Sequence, residues 1–331
     1  MSAAAAERRG RSRPDACSMI WDKAQASALG TSPVATFWVA LEQNGPWGAK
    51  AATQSHLDPD LGKSLDRKCQ EATGRFLLIR RPGPHSDLRV RRPERVPTQR
   101  VYLAGGLAAG RPWLLEADLV DPARLTQLPV QALADGDIGT VQDALPELRR
   151  SPGPVLMICA NSRRDLCCSV RGRPVALESE SQRPGRVWEC SHTGGHRFAP
   201  TGVLLPHGQT FGRLSGRLAV AALDAASRSE IPTELMGATH DRGRSHLSAP
   251  GQAAESLIRE QVPEPRLLAL STTATPRPGQ DNAWQCRVSH RDGRYWDVVA
   301  VRSPTGDDLP ESCGKDPVPR WRWSVLNDFG R

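Results

Sequence analysis

Two short stretches gather four of the eight cysteines and two of the eight histidines of this chain. CANSRRDLCCSV begins at Cys159 and contains three thiols; ECSHTGGHRFAP begins at Glu189 and adds one thiol and two imidazoles. Thiolate sulfur and neutral imidazole nitrogen are ligands of both zinc and iron–sulfur centres. The first stretch offers Cys159 with Cys167 or Cys168, and the second offers His192 and His196. Histidines four apart would share a face of a helix, but Gly194 and Gly195 stand between these two. Two glycines cost a helix about 2 kcal/mol relative to alanine. The spacing therefore predicts a loop, in which glycines at positive φ aim both imidazoles at one point. Seven or eight residues separate the paired cysteines, more than the usual zinc finger allows. Two metal readings stand: a tetrahedral Cys₂His₂ zinc, or a [2Fe–2S] cluster with two cysteines on one iron and two histidines on the other. The plain alternative is a set of buried thiols and loop histidines.

These residues must be positioned by the elements around them. VLMICA (155–160) is a short apolar run suited to a buried strand, and RVWEC (186–190) is a second strand. A helix, RPVALESES (173–181), lies in the crossover, so the segment is a βαβ unit with parallel strands. Parallel strands deliver their following loops to the same sheet edge, so Cys159 and His192 should meet. GVLLP (202–206) and QTFGRL (209–214) flank a turn and predict a hairpin. SGRLAVAALDAASRS (215–229) predicts a helix capped by Ser215. The order β–α–β, then β–β–α, is that of a thioredoxin-like domain.

The rest of the chain supplies a frame. Residues 1–14 are small and basic and read as a disordered tail. Residues 15–150 read as an N-terminal α/β domain, with strands at 36–42, 75–81 and 99–106 and a helix at 61–72. The Arg- and Pro-rich stretch 80–100 reads as an exposed loop. SPGP (151–154) marks the start of a thioredoxin-like domain over 151–230. Residues 231–331 form a C-terminal α+β extension, with a helix at 251–261 and a hairpin around RDG (291–293).

Composition narrows the function. Length 331 suits about two domains. The formal charge is +8, carried by 39 Arg and only 5 Lys. A dedicated nucleic-acid surface would mix the two cations, so nucleic acid is not an expected partner. No stretch reaches the ~18 apolar residues of a membrane span, and no signal peptide is legible. The expected compartment is the reducing cytoplasm, where thiols stay free or hold metal. The nine Trp read as core.

At the two motifs the chain resembles a known family. CANSRRDLCCSVRGRPVA and WECSHTGGHRFAPTGVLLPHG are similar to the sucrase/ferredoxin-like family, whose core is a thioredoxin-like ferredoxin domain. The resemblance extends to GTSPVATFWVALEQNGPWG (30–48), GRSHLSAPGQAAESLIRE (243–260) and ESCGK (311–315). The family pattern is Cys, eight residues, Cys, then His, three residues, His. By that resemblance Cys159, Cys168, His192 and His196 are the ligands of a [2Fe–2S] cluster. The N-terminal part would then be a degenerate second thioredoxin-like unit. One departure is visible: Ala160-Asn161-Ser162 stands where family members often carry Thr-His-Gly.

The expected function is electron transfer through this cluster to an unidentified redox partner protein. Imidazole N–H groups would couple reduction to proton uptake. The rival readings are a thiol oxidoreductase using vicinal Cys167 and Cys168, and a zinc-stabilised structural module. An electron carrier is favoured over a catalyst. No pair of carboxylates supports a glycosidase. Asp165 is expected beside a ligand imidazole; Arg164 and Arg197 either offset the cluster's charge or dock a redox partner, or are plain surface charges. Ser191 and Thr193 have two readings, as hydrogen-bond donors to the cluster's sulfides or as plain turn residues. Cys190 is expected to be packed, and Cys17, Cys69, Cys286 and Cys313 to be ordinary thiols.

Overall fold

The structure is a computed structural model that describes residues 16–83 and 97–327. The tail 1–14, and most of the loop read between 80 and 100, lie outside the described residues.

Ten strands form one mixed sheet. They are β1 (Trp38–Glu42), β2 (Arg75–Arg80), β3 (Gln99–Gly105), β4 (Trp113–Leu119), β5 (Arg149–Arg150), β6 (Val155–Cys159), β7 (Val187–Cys190), β8 (Gly202–Leu205), β9 (Gln209–Phe211) and β10 (Asp241–Arg244). Their spatial order is β10-β9-β8-β6-β7-β2-β1-β3-β4-β5. Two halves repeat one plan. In the first, β1 pairs β2 in parallel and β3 antiparallel, and β3 then pairs β4. In the second, β6 pairs β7 in parallel and β8 antiparallel, and β8 then pairs β9. Each parallel pair is bridged by a helix, α2 (Pro59–Glu71) or α5 (Leu166–Gln182). α1 (Cys17–Lys23), α3 (Val130–Asp135), α4 (Ile138–Ala144), α6 (Gly216–Ala226) and α7 (Ala249–Gln261) complete the α-helices among the described residues. The mixed α/β class agrees with the sequence reading.

The halves join edge to edge where β2 meets β7 antiparallel, with Ile79 opposite Cys190 and Arg80 opposite Glu189. This seam is short but charged. The Arg80 guanidinium donates to Glu189 at 2.9 Å, and Arg173 donates to its other oxygen at 3.3 Å. Both Arg80 and Glu189 are buried, and burying a carboxylate is tolerable only with such partners. Apolar side chains of alternate strand residues pack on both sheet faces. One face holds Phe37, Val39, Leu41, Leu103 and Leu115; the other holds Trp38, Ala40, Met157, Cys159 and Trp188.

The C-terminal extension is a second sheet of β11 (Leu270–Pro276), β12 (Ala283–His290), β13 (Tyr295–Pro310) and β14 (Pro317–Asn327), in that order. The predicted hairpin is β12 with the first part of β13. β14 was not legible, because Pro317 and Pro319 lie within it and proline cannot donate to a ladder. The predicted helix at 173–181 is longer than expected, starting at Leu166. Gly172 and Pro174 disguised its first half. Gly172 is there for packing: a Cβ at this position would lie 2.2 Å from the Cys159 carbonyl oxygen, so only glycine lets α5 press this closely on β6.

Candidate metal centre

The parallel register of β6 and β7 sets Cys159 directly beside Cys190 at the ends of the two strands. Both chains leave the sheet at this edge. Cys159 ends β6, with its N–H bonded to the Thr201 carbonyl at 2.9 Å. The chain crosses to Asp165, whose carboxylate accepts from the Cys167 N–H at 2.9 Å and caps α5. Cys167 and Cys168 are thus consecutive residues in the first turn of a rigid helix. After β7 the chain runs through Ser191 into the glycine turn. Gly194 and Gly195 take φ of +74° and +71°, as the loop reading required, and His196 opens a single 3₁₀ turn, His196–Phe198.

One ligand atom each of Cys159, Cys168 and His192 lies within 4.8 Å of the others. The Cys159 sulfur is 3.8 Å from His192 Nδ1. His196 stands at the margin of this set, its ring centroid 5.7 Å from that of His192 and tilted by 30°. His196 Nδ1 is buried with no hydrogen-bond partner. Its Nε2 lies 3.8 Å from Asp165 Oδ2, within ion-pair reach but too far for the hydrogen bond expected from sequence.

Cys159 and Cys168 are shifted in opposite directions. Cys168 donates to Cys159, which, with help from His192 and against its own burial, holds Cys159 well below the ordinary thiol range. The same bond, with burial, pushes Cys168 up. Burial pushes Cys190 up, and it packs in the core as expected. His196 is lowered by burial, with Asp165 opposing.

Cys167 does not join this set. It turns to Cys17 and Cys313, with sulfur–sulfur distances of 3.5 and 3.1 Å. The vicinal pair therefore faces two different clusters, which removes the geometric basis for a Cys167–Cys168 dithiol. It also corrects the reading of Cys17 and Cys313 as ordinary isolated thiols. No spacing rule could find them, because they sit about 150 residues either side of Cys167 in sequence.

At the other neighbours the plainer of the two readings describes what is seen for Ser191, Thr193 and Arg164. Ser191 Oγ accepts from the Leu78 N–H at 3.2 Å, and Thr193 Oγ1 pairs with Thr201 Oγ1 at 3.1 Å; both hydroxyls are engaged in fixing the loop. Arg164 is exposed. Arg197 pairs with Glu311 at 3.3 Å and stacks 4.9 Å from the Trp21 ring centre. The residue that sequence reasoning missed is Arg242 on β10. It is 1% exposed, and its guanidinium donates to the Gly194 carbonyl at 3.0 Å and to the Thr31 carbonyl. A Cβ at Gly195 would fall 2.3 Å from this guanidinium. Arg242 thus moulds the histidine loop, and Gly195 is the residue that lets it in. Burial pulls its pKa down to about 9, still protonated at neutral pH.

The sheet and the thiol–imidazole set define an α/β protein with a candidate metal centre at one sheet edge. A family model described as sucrase/ferredoxin-like matches residues 30–229. That span is well over half of the chain, and the protein belongs to the sucrase/ferredoxin-like family. No curated protein and no solved structure matches the chain. Among the described residues no helix is long and apolar enough to cross a membrane.

Proposed function

We propose that the protein is an electron carrier whose [2Fe–2S] cluster is held by Cys159, Cys168, His192 and His196. The observation that carries this reading is the donor set itself. Two thiols and one imidazole converge from the end of β6, the first turn of α5 and the loop after β7, and His196, whose buried Nδ1 has no hydrogen-bond partner, stands with its ring 5.7 Å from that of His192. His192 also presents Nδ1, toward the Cys159 sulfur, so both rings would ligate through the same atom. The fit is chemical as well: the neighbouring Cys168 thiol and His192 hold Cys159 well below the ordinary thiol range, and thiolate is the ligating form. When bound, the cluster would supply a one-electron couple at a potential above that of an all-cysteine site.

The chain's own residues do the rest. β6, β7 and the cap at Asp165 fix the thiols, and Arg242 fixes the histidine loop. Each imidazole that ligates through Nδ1 keeps Nε2 to hold or release a proton. At His196 that nitrogen faces the Asp165 carboxylate, which favours the proton. The thioredoxin-like reading of both halves rests on their shared strand order. A redox protein is the expected partner, and the cytoplasm the expected compartment.

The first test is composition. Protein purified without oxygen should contain iron and acid-labile sulfide in equal amounts, about two of each per chain. Stoichiometric zinc in the Cys159 set, without sulfide after anaerobic reconstitution, would overturn the reading. The second test is the pH dependence of the potential. Where the Nε2 protons are lost from the oxidised form, the potential should fall with rising pH, toward a limit of roughly 59 mV per unit for one proton per electron. A potential flat from neutral to alkaline pH would remove the proton-coupled part of the proposal and leave the cluster.

A further inference from the structure

We propose a second metal site, a structural zinc bound by Cys17, Cys167, Cys313 and Asp165. Three thiols from distant parts of the chain meet at one point: Cys17 at the start of α1, Cys167 in the first turn of α5, and Cys313 in the turn between β13 and β14. The third sulfur–sulfur distance, Cys313 to Cys17, is 3.6 Å, and the Cys17 sulfur is 3.9 Å from both oxygens of Asp165. All four ligand atoms lie within 4.8 Å of one another. A zinc tetrahedron with Zn–S bonds of about 2.3 Å has sulfur–sulfur edges of about 3.8 Å. The observed edges of 3.1, 3.5 and 3.6 Å need to open by only a few tenths of an ångström to most of an ångström to admit the ion.

The donor set selects the metal. Three thiolates exclude hard cations, and the carboxylate argues against the softest ones, leaving borderline zinc. A disulfide is a poorer account. Three thiols cannot all pair, and the bond needs about 2.05 Å, far below any distance here. Four protein ligands close the coordination sphere, which is the pattern of structural rather than catalytic zinc.

The surroundings are built to hold these ligands. Asp165 accepts from the N–H of Cys167, the N–H of Cys313 and the hydroxyl of Ser312, each at 2.9 Å. One carboxylate thereby positions two of the three cysteines before any metal arrives. Cys17, Cys167 and Asp165 are buried, and Cys313 is partly open, which leaves an entry path. The ion would tie the first helix and the C-terminal sheet to the N-terminus of α5. Cys17 and Cys313 both fall outside the residues 30–229 that match the family. The site shares no ligand with the Cys159 set and does not depend on what that set binds.

The test measures zinc, iron and sulfide on the same full-length protein, grown with zinc supplied, and records X-ray absorption at the zinc edge. The expected result is one zinc per chain with a shell of three sulfurs and one oxygen. In Cys17→Ser and Cys313→Ser, zinc affinity should drop by more than the roughly 10–100-fold that outer-shell changes cost, with iron and sulfide retained. The wild-type absorption spectrum decides the matter even if both variants fail to fold. Protein without zinc overturns the proposal, as does a Cys167–Cys313 disulfide in material handled without oxygen. A zinc shell of two sulfurs and two nitrogens also overturns it, and places zinc in the Cys159 set instead. A three-sulfur zinc shell in protein lacking iron would refute the proposed cluster and leave this site standing.

Discussion

Cys168→Ser protein is expected to emerge colourless, with iron and sulfide lost, whereas Cys167→Ser protein keeps both. The two residues are neighbours in sequence, yet the helix makes their roles distinct. Consecutive side chains on an α-helix diverge by about 100°. Capping by Asp165 fixes the rotation of the first turn, so the divergence is not averaged away. Cys168 lies in the core with Cys159, Trp188 and Cys190, while Cys167 lies with Ala16, Cys17, Ala199 and Cys313. Serine keeps the size of cysteine but is a poor ligand for iron, so the change tests ligation more than packing. Visible absorption and metal content report the result directly. Loss of colour in Cys167→Ser with retention in Cys168→Ser would reverse the ligand assignment. Cys167→Ser should also lose the second metal, so one substitution separates the two centres.

The convergence of Cys159, Cys168 and His192 was legible because these residues are local in sequence. Strand ends, a helix crossover and a glycine turn lie within about 40 residues of chain, and parallel pairing brings their ends together by rule. The Gly194-Gly195 pair announced a positive-φ turn, and the turn is there. What stayed hidden is contributed from far away. Arg242 reaches the histidine loop from a strand outside the predicted 151–230 unit, and nothing in HDRGRSH marks that arginine as buried. Cys17 and Cys313 meet Cys167 only because the C-terminal sheet folds back over the first helix. Gly172 and Pro174 read locally as helix breakers, yet the helix runs through them, since contact with β6 selects glycine there. Propensity is a weak prior beside packing of this kind.

Glu255→Gln is expected to destabilise the protein by roughly 3–5 kcal/mol at neutral pH, the cost of leaving buried guanidinium groups without their counter-charge. Glu255 lies on α7 and is 3% exposed. Arg244 on β10 grips its two oxygens at 2.6 and 2.5 Å, Thr272 on β11 donates at 2.9 Å, and Arg259 approaches at 3.4 Å. The carboxylate therefore joins the ten-stranded sheet to the C-terminal one through α7. Burial raises its pKa, but Arg244, by charge and by hydrogen bond, outweighs burial and brings it from 4.5 to about 2. A lowered folded-state pKa gives stability that is present above the unfolded value and is lost as pH falls through the folded one. The full contribution of about 3 kcal/mol should hold above the unfolded-state pKa, and about half should be gone by pH 3. Glutamine has no such proton to gain. The gap between wild type and variant in denaturant-induced unfolding should therefore be widest at neutral pH and shrink steadily below the ordinary carboxylate range. A gap that stayed constant from neutral pH to pH 3 would mean that Glu255 contributes by shape alone, and the charged clamp between the two sheets would have to be given up.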